Sequence, residues 1–323
     1  MDNNPAHHIL ILLGPTAVGK TAVACALSDV AASRLPSFPG GVHIISVDSA
    51  MVYRGLDIGS AKPSQAEQVQ YPHALIDICD PSQVYTAADF VSDADREIEQ
   101  AWTRGQLPVL VGGTMLYARR FIEGIAPLPS SDEDLRSDLS ERYAREGADV
   151  LHAELAAADP QAAAQIHPHN AQRLLRALEV ITLSGQPISK QWSEQMSWQD
   201  RLGGLLHTAA IVPLDRTPLY DRIEQRFDAM LEAGFVEEVS RLQARGDLSP
   251  QLPSIRAVGY RQCWAFLAGE IDEATFRQQA IVATRRLAKR QMTWLRSWKN
   301  IQQIPWGDPQ ALAMQVVGQI MAR

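Results

Sequence analysis

Cysteine is scarce in this chain of 323 residues: Cys25, Cys79 and Cys263 are odd in number, far apart and without C-x-x-C spacing. That pattern argues against both a disulfide framework and a structural zinc site. Long apolar runs are lacking as well. The stretch from Met1 to His8 has no basic region leading into an apolar one, so neither a signal peptide nor a membrane span is expected, and a cytoplasmic location is. Positive charge is also short, the net charge being -7. An acidic total argues against a nucleic-acid partner, but it is a sum and hides its distribution. With 46% hydrophobic and 21% charged residues, disorder and collagen-like classes are excluded and a sizeable core in one or two domains is expected.

What is present begins with Gly14-Pro15-Thr16-Ala17-Val18-Gly19-Lys20-Thr21, which follows the apolar run Ile9 to Leu13 and opens an apolar helix. It fits G-x-x-x-x-G-K-[ST] at every fixed position and in the strand-loop-helix context that the pattern needs. Glycines let successive N–H groups and the positive end of the helix converge on phosphate oxygens. Lys20 would add a point charge, and the Thr21 hydroxyl would ligate a Mg²⁺ bridging the phosphates. The spacing does not say which phosphate compound is held.

A second buried strand, Val42 to Val47, runs into Asp48-Ser49-Ala50-Met51. Groups just past the ends of parallel strands face the ligand crevice, yet Asp is equally a helix cap, and both readings of Asp48 stand. Ala74 to Ile78 reads as another strand. Thr86 caps an amphipathic helix with Phe90, Val91, Ala94 and Ile98 on one face, ended by Gly105. Pro108 to Val111 then leads into Gly112-Gly113-Thr114, where Thr114 is either a turn cap or a hydroxyl at the ligand edge.

From Pro127 to Gly204 strands give way to Ala- and Leu-rich helices: Ser131 to Arg145, Val150 to Ala158 and Asn170 to Ser184. In the last, Leu174, Leu175, Leu178 and Ile181 make the buried stripe and leave Gln172, Arg173 and Arg176 on the polar side. His207 to Val212 returns to a strand pattern. The expected fold is therefore α/β, a P-loop NTPase-like parallel sheet core from 1–126 and 205–323 with an inserted all-helical domain, 127–204. Thr217-Pro218 starts a helix carrying Arg222 and Arg226. A long helix from Glu273 to Trp298 carries Arg285, Arg286, Lys289, Arg290 and Arg296, with no acid from Ile281 to Lys299 and with Gln291, Trp294 and Trp298 interleaved. This is a basic, aromatic-bearing patch of the kind that meets a polyanion.

These pieces, in this order, resemble the tRNA dimethylallyltransferase (tRNA isopentenyltransferase) family. The resemblance rests on G-P-T-A-V-G-K-T at Gly14 to Thr21, D-S-A-M at Asp48 to Met51, D-I-G-S-A-K-P at Asp57 to Pro63 and G-G-T at Gly112 to Thr114. It continues through Q-R-L-L-R at Gln172 to Arg176, R-A-V-G-Y-R at Arg256 to Arg261 and K-R-Q-M-T-W-L-R at Lys289 to Arg296. Met51 and Ser60 stand where the family often has Leu and Thr. The C-terminal zinc finger of eukaryotic members is absent, so the bacterial form is implied.

The resemblance implies transfer of a dimethylallyl group from dimethylallyl diphosphate to N6 of adenosine 37 in the tRNA anticodon arm, by a monomer that uses Mg²⁺. Asp48 would be the general base. The P-loop, with Lys20 and Thr21, and Thr114 would receive the diphosphate, with Arg222, Arg226 and Arg136 as further cations. The segments implied to meet tRNA are Asp48, Ser49, Ala50, Met51 and Thr114, with Arg136, and Gln172, Arg173, Leu174, Leu175 and Arg176. To these are added Arg256, Ala257, Val258, Gly259, Tyr260 and Arg261, and Lys289, Arg290, Gln291, Met292, Thr293, Trp294, Leu295 and Arg296. The inserted helices would hold the anticodon arm. A P-loop small-molecule kinase and a non-catalytic RNA-binding protein are the competing readings of the same residues.

Overall fold

The computed structural model describes residues 7–322. Six strands, β1 (His8–Leu13), β2 (Val42–Val47), β3 (His73–Ala74), β4 (Leu107–Gly112), β5 (Leu205–Val212) and β6 (Gln302–Pro305), form one sheet in the order β3-β2-β4-β1-β5-β6. Every pairing is parallel. Parallel strands are covered by helices on both faces, which is why β1 and β4 are uninterrupted apolar runs rather than alternating ones. Val23 and Leu27 of the helix Lys20–Arg34 and Leu312, Val316 and Ile320 of the helix Pro309–Met321 cover one face over Leu10, Leu12, Val109 and Ile211. The helix Ala87–Thr103 packs against β2 and β4 through Phe90, Ala94, Ile98 and Ala101. Thr86 starts it with a capping box, its Oγ1 accepting from the Ala88 and Asp89 amides and its own amide donating to Asp89, worth about 1 kcal/mol.

The expected strand Ala74 to Ile78 is corrected to two residues, His73–Ala74. Leu75 and Asp77 take left-handed backbone angles, φ 62° and 57°, which end the pairing. Thr217 is the first residue of its helix, and Asp215 Oδ1, two residues before it, accepts the Thr217 amide.

The chain divides into two compact units, Met1–Phe121 with Leu202–Arg323, and Ile122–Arg201. The second contains helices and, among the described residues, no strand; Leu139, Leu151, Leu155, Leu174 and Leu178 form its own core. Its helix Ala171–Ser184 buries Glu179, whose carboxylate accepts from Ser131 Oγ, the Asp132 amide and Arg176 Nη1. Arg176, expected on the polar side, is therefore half-buried against an acid that lies on the apolar stripe.

Candidate active site

Leu13 and Val47 both stand opposite Gly112, so β1, β2 and β4 end level. Three turns leave that common edge side by side: the P-loop after β1, Asp48–Met51 after β2 and Gly113–Thr114 after β4. Two of their glycines are required by close approach. A Cβ on Gly14 would lie 2.8 Å from the Ile211 carbonyl oxygen, and one on Gly112 2.0 Å from that of Val47. Ala17 and Gly19 turn the P-loop through left-handed angles, φ 68° and 83°, aiming it into the helix Lys20–Arg34.

Lys20 is half-buried with its Nζ donating to the Pro15 carbonyl at 2.8 Å. Burial brings its ammonium down to about 8, with Asp48 opposing the shift and Arg226 adding to it. Asp48 is a cap and a cleft group at once. Oδ1 accepts the Ala50 and Met51 amides at 2.8 and 3.2 Å, while Oδ2 has no hydrogen-bond partner among the described residues. Thr114 ties two turns together, its amide donating to Val47 O and its Oγ1 accepting the Ser49 amide, both at 3.1 Å.

From the helix Thr217–Glu232, Arg222 and Arg226 reach the same space. Burial lowers the Arg226 guanidinium, and the Asp48 carboxylate counters it. Arg222 lies over the Trp306 ring at 5.4 Å.

The basic helix, observed as Glu273–Ser297, is two-sided. Arg286, Lys289, Arg290, Thr293 and Arg296 are exposed, and Arg119 sits over Trp294 at 5.6 Å. The expectation of unbalanced cations is corrected at Arg285: its Nη2 meets Glu224 at 2.7 Å, and Arg277 pairs with Glu224 and Asp228. The balancing acids come from the neighbouring helix, invisible to a count along one segment. Gln291, Met292 and Leu295 are buried. Gln291 instead bridges two turns, its Oε1 accepting the Thr16 amide and its Nε2 donating to Gly113 O, each at 2.8 Å. The signal lay in the spacing, because Ala288, Gln291 and Leu295 recur at three and four residues along one buried stripe.

Of the remaining residues implied to meet tRNA, Leu174, Gly259 and Tyr260 are buried, and of these Gly259 and Tyr260 still line the cleft. Ala50, Met51, Leu175, Ala257 and Val258 are half-buried; Ser49, Arg256 and Arg261 are exposed. Arg136, Gln172 and Arg173 are exposed on the helical unit and are not among the residues lining the cleft.

The cleft is about 1270 Å³ and is lined by Thr16, Ala17, Gly19, Lys20 and Thr21 of the P-loop, Asp48 to Met51, Gly113, Thr114, Arg222, Arg226, Arg256 to Tyr260, Arg290 and Trp294. An anion cradle, a carboxylate with one oxygen uncommitted and a basic, aromatic rim thus share one space. A profile of the IPP transferase family matches residues 51–298. The chain belongs to this family. Among its IPP transferase relatives, the tRNA dimethylallyltransferase of Chromohalobacter salexigens is 52% identical over 302 residues, 94% of this chain and 92% of that one. That of Ralstonia nicotianae is 51% identical over 90% of this chain and 89% of its own. The crystal structure of the full-length tRNA isopentenylpyrophosphate transferase from Bacillus halodurans superposes with a TM-score of 0.69 at 36% identity, covering 98% of this chain and 96% of that one. The P-loop NTPase-like core of IPP transferases is thus the fold of this chain.

Proposed function

We propose that this protein transfers the dimethylallyl group of dimethylallyl diphosphate to N6 of adenosine 37 in tRNA, giving N6-(dimethylallyl)adenosine and diphosphate. The observation that carries this reading is the placement of Asp48 in the same cleft as the P-loop and the basic rim. The allylic C–O bond breaks as the N6–C bond forms, N6 loses its proton to Asp48 Oδ2, and diphosphate leaves. Adenine N6 is a poor nucleophile because its lone pair is delocalised into the ring, so the base must act as the bond forms. The P-loop amides, Lys20, Arg222 and Arg226 are donors already in place where negative charge grows on the leaving diphosphate. The adenine must leave its stack to reach Asp48, at a cost of a few kcal/mol. The basic rim is the counterpart for phosphates of the anticodon arm. Arg136, Gln172 and Arg173, exposed on the helical unit, are further candidates for tRNA contact.

The residues fit Mg²⁺. No group of three or more His, Cys, Asp or Glu could hold a metal among the described residues, but Mg²⁺ on phosphate oxygens needs only one or two protein oxygens, and the Thr21 hydroxyl lines the cleft. When bound it would supply positive charge that offsets the charge growing on the leaving diphosphate. We read the protein as a cytoplasmic monomer. No helix among the described residues is long and apolar enough to cross a membrane. Incubation with labelled dimethylallyl diphosphate and bulk tRNA should label tRNA, and AMP in its place should give no product. Transfer of γ-phosphate from labelled ATP to a small molecule would contradict the reading and favour a kinase.

A further inference from the structure

The motif Asp57 to Pro63 has no role in the chemistry above, yet Gly59 to Pro63 form one wall of the cleft. Its backbone is fastened to a single buried side chain, Glu238, which is 3% exposed. Oε2 accepts the amides of Asp57 and Ile58 at 3.1 and 2.7 Å; Oε1 accepts the Gly59 amide at 3.2 Å and the Tyr260 hydroxyl at 2.7 Å. Tyr260 completes the ring by accepting the Ser60 amide at 3.1 Å. Four consecutive amides thus close on one carboxylate and one phenol.

The partners of this carboxylate are dipoles rather than a cation. Its position in the first turn of the helix Phe235–Ala244 adds the positive end of that helix. Burial and the Glu238 charge push the Tyr260 hydroxyl well up, which keeps it a donor. There is no slack nearby: a Cβ on Gly59 would lie 2.2 Å from Phe235 Cε2 and 2.7 Å from Tyr260 Cζ. Phe235 and Tyr260 meet edge to face at 5.2 Å.

Tyr260 belongs to Arg256–Arg261, the second segment that lines the cleft on this side, so Glu238 joins two motifs distant in sequence into one surface. We infer that Glu238 is a positioning residue, holding the Asp57–Ser60 backbone and the Arg256–Arg261 segment in the register that receives the acceptor nucleotide. This rests on the acceptor being tRNA, as proposed above. Glu238 lines no part of the cleft and touches no reacting atom.

The test uses Glu238→Gln, which turns an amide NH₂ toward N–H donors, and Tyr260→Phe, which keeps the ring and removes the hydroxyl. In hydrogen exchange both should lose protection at residues 57–60, a result independent of the reaction. In the transfer assay, KM for tRNA should rise roughly 10- to 100-fold, as a displaced contact surface does. The affinity for inorganic diphosphate, set by the P-loop, should stay within about twofold of wild type, the spread expected for independent sites. The double variant should be no worse than Glu238→Gln, because both break one ring. Unchanged exchange at residues 57–60, or a tRNA KM that does not move, would overturn the inference. So would a parallel loss of kcat, tRNA KM and diphosphate affinity, which marks a merely structural group. Should Glu238→Gln fail to fold, Tyr260→Phe alone decides. A wild-type protein that prenylates no tRNA would sink the proposed function while the exchange result still judges the clamp.

Discussion

Gln291 accepts the backbone amide of Thr16 at 2.8 Å across 275 residues of sequence, so a helix of the C-terminal part holds the phosphate loop from outside. The same side chain donates to Gly113 O, and a Cβ on Gly113 would lie 2.6 Å from its Nε2. The P-loop and the turn after β4 are therefore one rigid assembly.

Gln291→Leu keeps the volume and leaves the Thr16 amide and Gly113 carbonyl unpaired, each costing about 1–3 kcal/mol if they stay buried. The KM for dimethylallyl diphosphate should rise by on the order of tenfold per 1.4 kcal/mol lost at the loop. Affinity for tRNA and its salt dependence should stay as they were, as expected of a side chain 6% exposed. Steady-state kinetics in both substrates, with a tRNA filter-binding series, distinguishes this from direct contact with tRNA, in which the tRNA constant would move instead.

Lys20 predicts a pH dependence. Its ammonium is at about 8 against an ordinary 10.5, so below about 8 it is charged and attracts diphosphate, and above it the charge is lost. Calorimetric affinity for inorganic diphosphate should therefore weaken as pH rises through about 8, although the ligand's own ionisation works in the opposite sense. Lys20→Arg stays charged across this range and should flatten the profile. Between about 8 and 10.5 the unfolded chain binds more protons at this residue, so its contribution makes the ligand-free fold more stable as pH rises through that window. A diphosphate profile identical in wild type and Lys20→Arg would show that this lysine does not set the anion affinity.

The local sequence carried the site's chemistry further than its architecture. Spacing alone marks the P-loop, because each of its fixed residues answers a backbone or phosphate requirement. β2 is legible as Val42–Val47 for the same reason that β1 is, an apolar run bounded by turn residues. β3 was not legible: Leu75 and Asp77 look like members of a strand, and only the tertiary setting puts them at positive φ, with Asp77 held by Lys62. Glu238 reads locally as one of two acids at a solvated helix start, since nothing within its own helix says that residues 57–60 fold onto it. Arg285 misleads in the reverse sense, because its partner Glu224 lies on another helix.

Asp48→Asn retains the Oδ1 cap to Ala50 and Met51 but removes the proton acceptor. Turnover should fall by about 10²–10⁴-fold, the usual contribution of a general base, with an unchanged melting temperature. Retention of activity within a few-fold would reduce Asp48 to its capping role.

Lys289 and Arg290 are exposed and, among the described residues, have no acid partner of the kind that holds Arg285. Lys289→Gln with Arg290→Gln should weaken tRNA binding and flatten the plot of log affinity against log salt by on the order of one unit per lost phosphate contact. The KM for dimethylallyl diphosphate should barely move. An unchanged slope would return this face of the helix to solvent.

The most direct measurement is a single-turnover reaction of the wild-type protein with labelled dimethylallyl diphosphate and tRNA, followed by nuclease digestion and mass-spectrometric mapping of the product. One dimethylallyl group per acceptor tRNA is expected, on N6 of adenosine 37, with one equivalent of diphosphate released. Label on another nucleoside, prenylation of AMP in place of tRNA, or no transfer from the prenyl donor would contradict it.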